Sequence, residues 1–168
     1  MSLQLGIPLF IGAVLLQSTI LPRMRLLGGQ PDLVLLVVFA WAMLDREQEG
    51  VVWAFVGGFL LDIFSGVPLG VSALALVPVT LVVSLAEPKV FRESVLPPLL
   101  LTAVGAAGYH LLVLLLLRFY AGFPIEWESA LLFVTLPSIL LDVLLILPVL
   151  RLLVKPYDRL HPRVLGLR

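Results

Sequence analysis

Four polar side chains lie inside long apolar runs of this chain, where they could do chemistry. Asp62 lies within the run Gly57–Gly70, Gln17 lies in the first apolar run, and His110 and Asp142 lie in the last two. A carboxylate near the middle of a bilayer opposes insertion by roughly 2.5 to 3.5 kcal/mol, so an acid in this position is a candidate for function or partner contact. Such side chains can relay a proton, bind a solute or dock a partner.

Small residues surround Asp62 on both sides. They are Gly57, Gly58, Ser65, Gly66 and Gly70. Small side chains let helices approach closely in lipid, and the turn residues after the acid predict that its helix ends there. We therefore interpret Asp62 and these neighbours as residues for partner binding or for a structural polar contact.

Composition indicates an integral membrane protein. Hydrophobic residues make up 61% of the chain and charged residues 13%, and the mean hydropathy is +1.14. These values lie far from those of soluble domains. The formal net charge is zero, so nothing here predicts a nucleic-acid partner. Cysteine is absent, which excludes disulfides and thiol nucleophiles.

Hydrophobic runs divide the chain into six candidate membrane helices. Their approximate bounds are 3–22, 32–44, 50–64, 68–86, 95–117 and 129–150. A helix needs roughly 20 residues to cross the hydrocarbon core, so the second and third are short and should form a tight helical hairpin. An alternative is four full spans with a half-inserted pair. The predicted architecture is an all-α bundle over residues 1–150, followed by a basic cytoplasmic or interfacial tail, 151–168.

Basic residues predict the orientation of this bundle. On one side of a six-span arrangement lie Arg46, Lys89, Arg92, Arg151, Lys155, Arg159, Arg163 and Arg168. On the other side lie Arg23, Arg25 and Arg118. Short loops rich in Lys and Arg stay in the cytoplasm, so both termini are predicted to be cytoplasmic. The loops around Gly28, Gly66 and Gly122 would then lie outside.

Depth along each helix predicts which polar groups meet. At a rise of ~1.5 Å per residue, Asp62, His110 and Gln17 lie about 18 to 22 Å above the inner boundary. They are predicted to form a cluster in the outer half of the membrane. Asp142 lies about 20 Å below the outer boundary by the same measure, near the level of Thr102 and away from that cluster.

Each candidate has more than one interpretation. Asp62 holds a structural or docking contact, lies near the headgroup level, or binds a solute or proton. His110 is a packing residue or a ligand, and Asp142 faces a neighbouring helix or a partner. The small residues of the fifth span either pack within the subunit or form a homodimer. They are Ala103, Gly105, Ala106, Ala107 and Gly108.

The sequence contains no recognisable catalytic or metal-binding motif. It has no HExxH, no phosphate-binding loop with Lys and no GxSxG, and it has two histidines. Intramembrane hydrolysis needs a nucleophile with a base or two close carboxylates, and neither is predicted. We therefore predict a protein that is not an enzyme, with no catalytic residues, metal or cofactor.

The segment from Pro31 to Leu74 resembles the bacterial rod-shape-determining MreD family. The matching residues are Pro31 and Asp32 at the start of the second span, then Gly58, Asp62, Ser65, Gly66, Leu69 and Gly70. The resemblance covers the whole chain in span number and length, but about a quarter of it by motif. It implies a multi-pass protein of the bacterial inner membrane with an adaptor role in cell elongation.

The resemblance also implies partners and an alternative function. The family works with the single-span protein MreC, with MreB filaments, and with the peptidoglycan glycosyltransferase and transpeptidase. It is similar in fold to the substrate-binding S subunits of energy-coupling-factor vitamin transporters. An S subunit would bind a small solute, here at Gln17, Asp62 and His110. Its small-xxx-small docking motif is missing from the first span, which favours the adaptor.

Overall fold

The computed structural model describes residues 3–23, 28–44, 49–85, 94–120 and 122–160. The described part is helical, as predicted. Its helices are α1 (Leu3–Thr19), α2 (Leu33–Leu44), α3 (Glu49–Ser65), α4 (Val71–Ser84), α5 (Leu96–Phe119) and α6, which comprises Trp127–Ala130, Leu131–Thr135 and Leu136–Leu160. Several basic residues used to predict orientation lie outside the described residues: Arg25, Arg46, Lys89, Arg92, Arg163 and Arg168. The side chains of Lys155 and Arg159 lie outside them too.

Helix α2 is the centre of the bundle. It contacts each of the other five helices, and its residues from Val34 to Leu44 are all buried. Helices α1, α3, α4, α5 and α6 surround it, and each contacts the next in that order. A helix that is apolar on every side can be packed against other helices on every side. The short second run is therefore the core of the domain.

Residue types at the helix ends explain where the helices begin and end. Asp32 directly precedes α2, where an acidic residue can accept hydrogen bonds from free N–H groups. Helix α3 ends at Ser65, and the next residue, Gly66, has a φ of +71° that favours glycine. Helix α5 carries prolines in its first turn, where no intrahelical N–H bond is lost.

The outer helices carry large apolar side chains on exposed faces. Phe59 of α3, Val104 of α5 and Leu144 of α6 are examples. Among the residues that the structure describes, two helical stretches are long and apolar enough to cross a membrane, Leu96–Phe119 with 24 residues and Trp127–Val154 with 28. Shorter apolar helices are Ile7–Thr19, Leu33–Leu44 and Val71–Ser84. The number of crossings and the side of the termini stay predictions.

Candidate functional site

Asp62 uses its carboxylate to hold the start of α4. Its Oδ2 accepts a hydrogen bond from the Gly70 N–H at 2.8 Å, and the Ser72 N–H lies 3.0 and 3.2 Å from Oδ1 and Oδ2. The first N–H groups of a helix have no partner within the helix, and a carboxylate at this end is favoured by the helix dipole. Asp62 is 2% exposed. Its contacts in the structure are therefore within the chain.

The glycines before Asp62 allow α3 to pack closely on its neighbours. A Cβ at Gly58 would lie 2.6 Å from the Ala73 Cα of α4. A Cβ at Gly57 would lie 3.0 Å from a Val34 methyl of α2 and 3.1 Å from the Phe10 ring of α1. Both glycines are buried. They make close contacts inside the subunit.

The turn after Asp62 is open on its outer side. Ser65 and Gly66 are exposed, and Gly66 and Gly70 have φ values of +71° and +95°. Apart from the glycine itself and its two chain neighbours, no atom of the described residues lies within 4 Å of a Cβ built at either position. The segment Ser65–Gly70, called the α3–α4 turn below, is thus fixed from inside by Asp62 and accessible from outside.

A second polar network holds the start of α2. Gln17 Nε2 donates to Asp32 Oδ1 at 2.8 Å, and Gln17 Oε1 accepts from the Val34 N–H at 2.8 Å. Asp32 Oδ1 also accepts from the Leu35 N–H at 3.1 Å. These bonds satisfy N–H groups in the first turn of α2. Side chains from α1 and from the residue before α2 together cap the central helix.

Asp142 of α6 joins this network. Its Oδ1 accepts a hydrogen bond from the Asp32 N–H at 2.7 Å, and Asp142 is completely buried. Nearby, Ser138 Oγ accepts from the Gln30 N–H at 3.1 Å. Helix α6 is thereby attached to the chain segment that leads into α2.

The structure corrects the predicted depth of Asp142. Its Oδ2 lies 3.8 Å from Nε2 of His110, which the depth estimate placed in a different layer. The estimate assumed a regular rise and no tilt for each helix, whereas α6 contains the π-helical segment Leu131–Thr135 before Asp142. Within the described part of the chain, neither His110 Nε2 nor Asp142 Oδ2 has a hydrogen-bond partner.

A cavity of about 420 Å³ opens beside these groups. Its polar lining includes Gln17, Gln30, Asp32, Ser72, Tyr109 and His110. Of the predicted outer-half cluster, Gln17 and His110 line the cavity. Asp62 does not line it, but accepts a hydrogen bond from the N–H of the lining residue Ser72 and so lies behind that residue. The structure brings Asp142 to this cluster as well, through its contact with His110.

One wall of the cavity contains an unusual helical segment. Leu131–Thr135 is π-helical, and Val134 within it and Ser138 just after it line the cavity. The π-helix is rare and occurs frequently at functional sites. The wider turn changes the direction in which later side chains of α6 project, among them Asp142.

Asp32 lines the cavity and caps α2, and the sequence analysis did not place it in the candidate site. It entered there as part of a family motif and was not assigned to the site. A signal was present, because an Asp directly before an apolar run is typical of a helix N-terminus. Its link to Gln17 and Asp142 has no local signal, because those residues are 15 and 110 positions away.

The small residues of α5 pack inside the subunit where they are buried. Gly105 and Ala106 are buried, and a Cβ at Gly105 would lie 2.5 Å from the Phe39 ring of α2. Ala107 is exposed. A homodimer could therefore use only the exposed small residues of α5, such as Ala107.

Comparison with known proteins identifies the family. No curated protein and no solved structure matches this chain. The family model of the rod shape-determining protein MreD matches residues 2–157, which is nearly the whole chain. This agrees with the apolar exposed helix faces and the two long apolar helices, which suit a membrane protein of bacteria. The chain belongs to the MreD family of rod shape-determining proteins.

Proposed function

We propose that this chain is a non-enzymatic, multi-pass adaptor of the bacterial inner membrane that docks a single-span partner of the MreC kind. Through that partner it would help link MreB filaments and the peptidoglycan glycosyltransferase and transpeptidase to cell-shape control. Family membership supports the shape-determining role. The α3–α4 turn, fixed from inside and open outside, supports the docking step.

The positions of the small residues indicate that the α3–α4 turn is the segment that docks the partner. Gly57, Gly58 and Asp62 already have their contacts within the subunit. Gly66 and Gly70 have space around them, and Leu69 between them is 61% exposed. Because the orientation predicted from the basic residues places this turn outside, burial of the exposed Leu69 and close packing against the two glycines would supply the affinity. The α3–α4 turn offers a surface for such packing, and Asp62 acts by holding its shape.

A pull-down with a surface variant tests this proposal. Leu69→Glu changes the exposed side of the turn without removing any hydrogen bond to Asp62, so we expect it to reduce recovery of the single-span partner by tenfold or more. Phe123→Glu is the matched control, because Phe123 is an exposed apolar residue of the loop between α5 and α6. Equal partner recovery with both variants would exclude the α3–α4 turn as the docking element.

The cavity supports a second function, that of a solute-binding subunit similar to the S subunits of energy-coupling-factor transporters. Its volume of about 420 Å³ lies within the ~300 to 1,000 Å³ range of small-molecule sites. Mass spectrometry of small molecules that co-purify with the chain distinguishes the two functions. A stoichiometric vitamin would favour transport, and a co-purified single-span protein without one would favour the adaptor.

A further inference from the structure

Among the described residues, the cavity beside α2 has more acidic than basic groups around it. Asp32 lines it directly, Asp62 lies behind Ser72, and Asp142 lies behind His110. None of the described residues that line it is Lys or Arg. His110 is the one basic side chain among the described residues of the lining. Charges at low-dielectric walls act more strongly than in water, so the cavity attracts positive charge.

Hydrogen-bond acceptors without partners point to the same kind of ligand. Gln30 Oε1 belongs to a lining residue, is buried, and accepts no hydrogen bond from the described part of the chain. Asp142 Oδ2 also has no hydrogen-bond partner in the described part of the chain. Its side chain is completely buried and faces the lining residue His110. Unpaired buried acceptors are costly, so a ligand rich in donors would satisfy Gln30 Oε1. Asp142 Oδ2 lies behind His110, outside the cavity lining, and does not contact such a ligand.

We propose that this cavity binds a protonated amine or guanidinium group. These cations carry three to five N–H donors and no acceptor, which matches a lining with carboxylate and amide oxygens. Asp32 supplies the direct charge contact, and Gln30 Oε1 supplies a neutral acceptor. The cation belongs either to a free organic solute or to a basic side chain of a partner. This inference goes beyond the docking role and does not depend on it.

Equilibrium titration of the purified full chain in nanodiscs of neutral lipid tests the proposal. The probes are n-butylguanidinium and n-butylurea, which have the same shape but differ in charge, and empty nanodiscs give the background. We expect saturable binding of butylguanidinium that is at least tenfold tighter than that of butylurea. Equal affinity for the two probes, or binding no different from empty nanodiscs, would overturn the proposal.

Two variants place the binding in the cavity. Asp32→Asn keeps an acceptor for the Leu35 N–H and removes the charge, and it should weaken butylguanidinium binding by about tenfold or more. Gln30→Met removes an acceptor that holds no bond within the described residues, so it should weaken binding without loss of folding. Glu128 is an exposed acid on the first turn of α6, so the control variant Glu128→Gln should bind butylguanidinium with wild-type affinity. Wild-type affinity in both cavity variants would also overturn the proposal.

A competition experiment distinguishes the two sources of the cation. If co-expressed single-span partner blocks butylguanidinium, and neutralising its basic residues next to the membrane restores binding, the cation is the partner's side chain. If the partner leaves binding unchanged, the ligand is a free solute. Both results support the cation site. If the partner does not associate at all, the docking proposal fails while the titration on the chain alone still decides the cavity.

Discussion

Asp142 Oδ1 accepts a hydrogen bond from the Asp32 N–H at 2.7 Å and thereby joins α6 to the start of α2, across 110 residues of sequence. Both residues are buried. Since α2 contacts all the other helices, a bond at its start helps position the whole bundle. The same carboxylate faces His110 through its other oxygen, so one side chain connects the core to the cavity.

Asp142→Leu should destabilise the protein. The substitution leaves the buried Asp32 N–H without its acceptor, at a cost of about 1 to 3 kcal/mol. Thermal unfolding of the full chain in detergent measures the effect as a lower midpoint. Asp142→Asn keeps an acceptor oxygen and is the control that should lose less. An unfolding midpoint for Asp142→Leu at or above that of Asp142→Asn would show that this bond does not hold the helices together.

Asp62→Ala should loosen the α3–α4 turn. The Gly70 and Ser72 N–H groups lose their acceptor, and the start of α4 opens more often as a result. Hydrogen exchange read by mass spectrometry should be faster in the peptide that covers these amides. Asp62→Asn, which keeps one acceptor oxygen, should exchange at an intermediate rate. If the exchange rate of this peptide were unchanged in both variants, Asp62 would not stabilise the α3–α4 turn.

Gly58→Ala should destabilise the contact between α3 and α4. The added Cβ would lie 2.6 Å from the Ala73 Cα and 2.7 Å from the Ala73 N, so the helices must separate. Such overpacking costs typically about 1 to 3 kcal/mol. Gly12→Ala in α1 is the matched control, because outside the adjacent backbone of α1 and the two neighbouring residues no atom of the described chain lies within 4 Å of its added Cβ.

The control variant Gly12→Ala also has an expected effect on the unfolding midpoint. Alanine is more favourable than glycine in a helix interior by up to about 1 kcal/mol, so Gly12→Ala should leave the unfolding midpoint unchanged or raise it. Gly58→Ala should lower the midpoint in the same assay. If the two variants shifted it equally, the close approach of α3 and α4 would not depend on Gly58.

Both termini should face the cytoplasm. The excess of Lys and Arg on one side of the six helices requires this orientation. A reporter that is active only outside the cytoplasm should give no signal when fused after Arg168, and a strong signal when inserted after Gly122 in the loop between α5 and α6. A strong signal from the fusion after Arg168 would mean an odd number of crossings.

Catalysis by the chain alone is not expected. The sequence has no cysteine and no recognisable catalytic motif. Purified protein incubated with lipid-linked or peptide substrates should give the turnover of the buffer blank. Hydrolysis that was lost in Asp62→Asn would contradict the non-enzymatic assignment.

The helices of this protein follow from local sequence. Apolar runs bounded by proline, glycine and charged residues predicted six helices, and each run corresponds to one in the structure. Their ends agree within a few residues for the first five, since capping and turn residues act on the backbone next to them. The apolar character of the second run also allows α2 to be buried on all sides.

Which polar side chains meet was decided by the tertiary structure. The start, tilt and rotation of each helix determine which side chains become neighbours. The sequence gives only an approximate depth for each residue, from a constant rise per residue, and not these three quantities. Asp142 shows the difference, because the length and π-helical segment of α6 bring it to His110 and Asp32. Composition determined that this chain belongs in a membrane, and packing around α2 determined that Asp32 lines the cavity and that Asp142 contacts both Asp32 and His110.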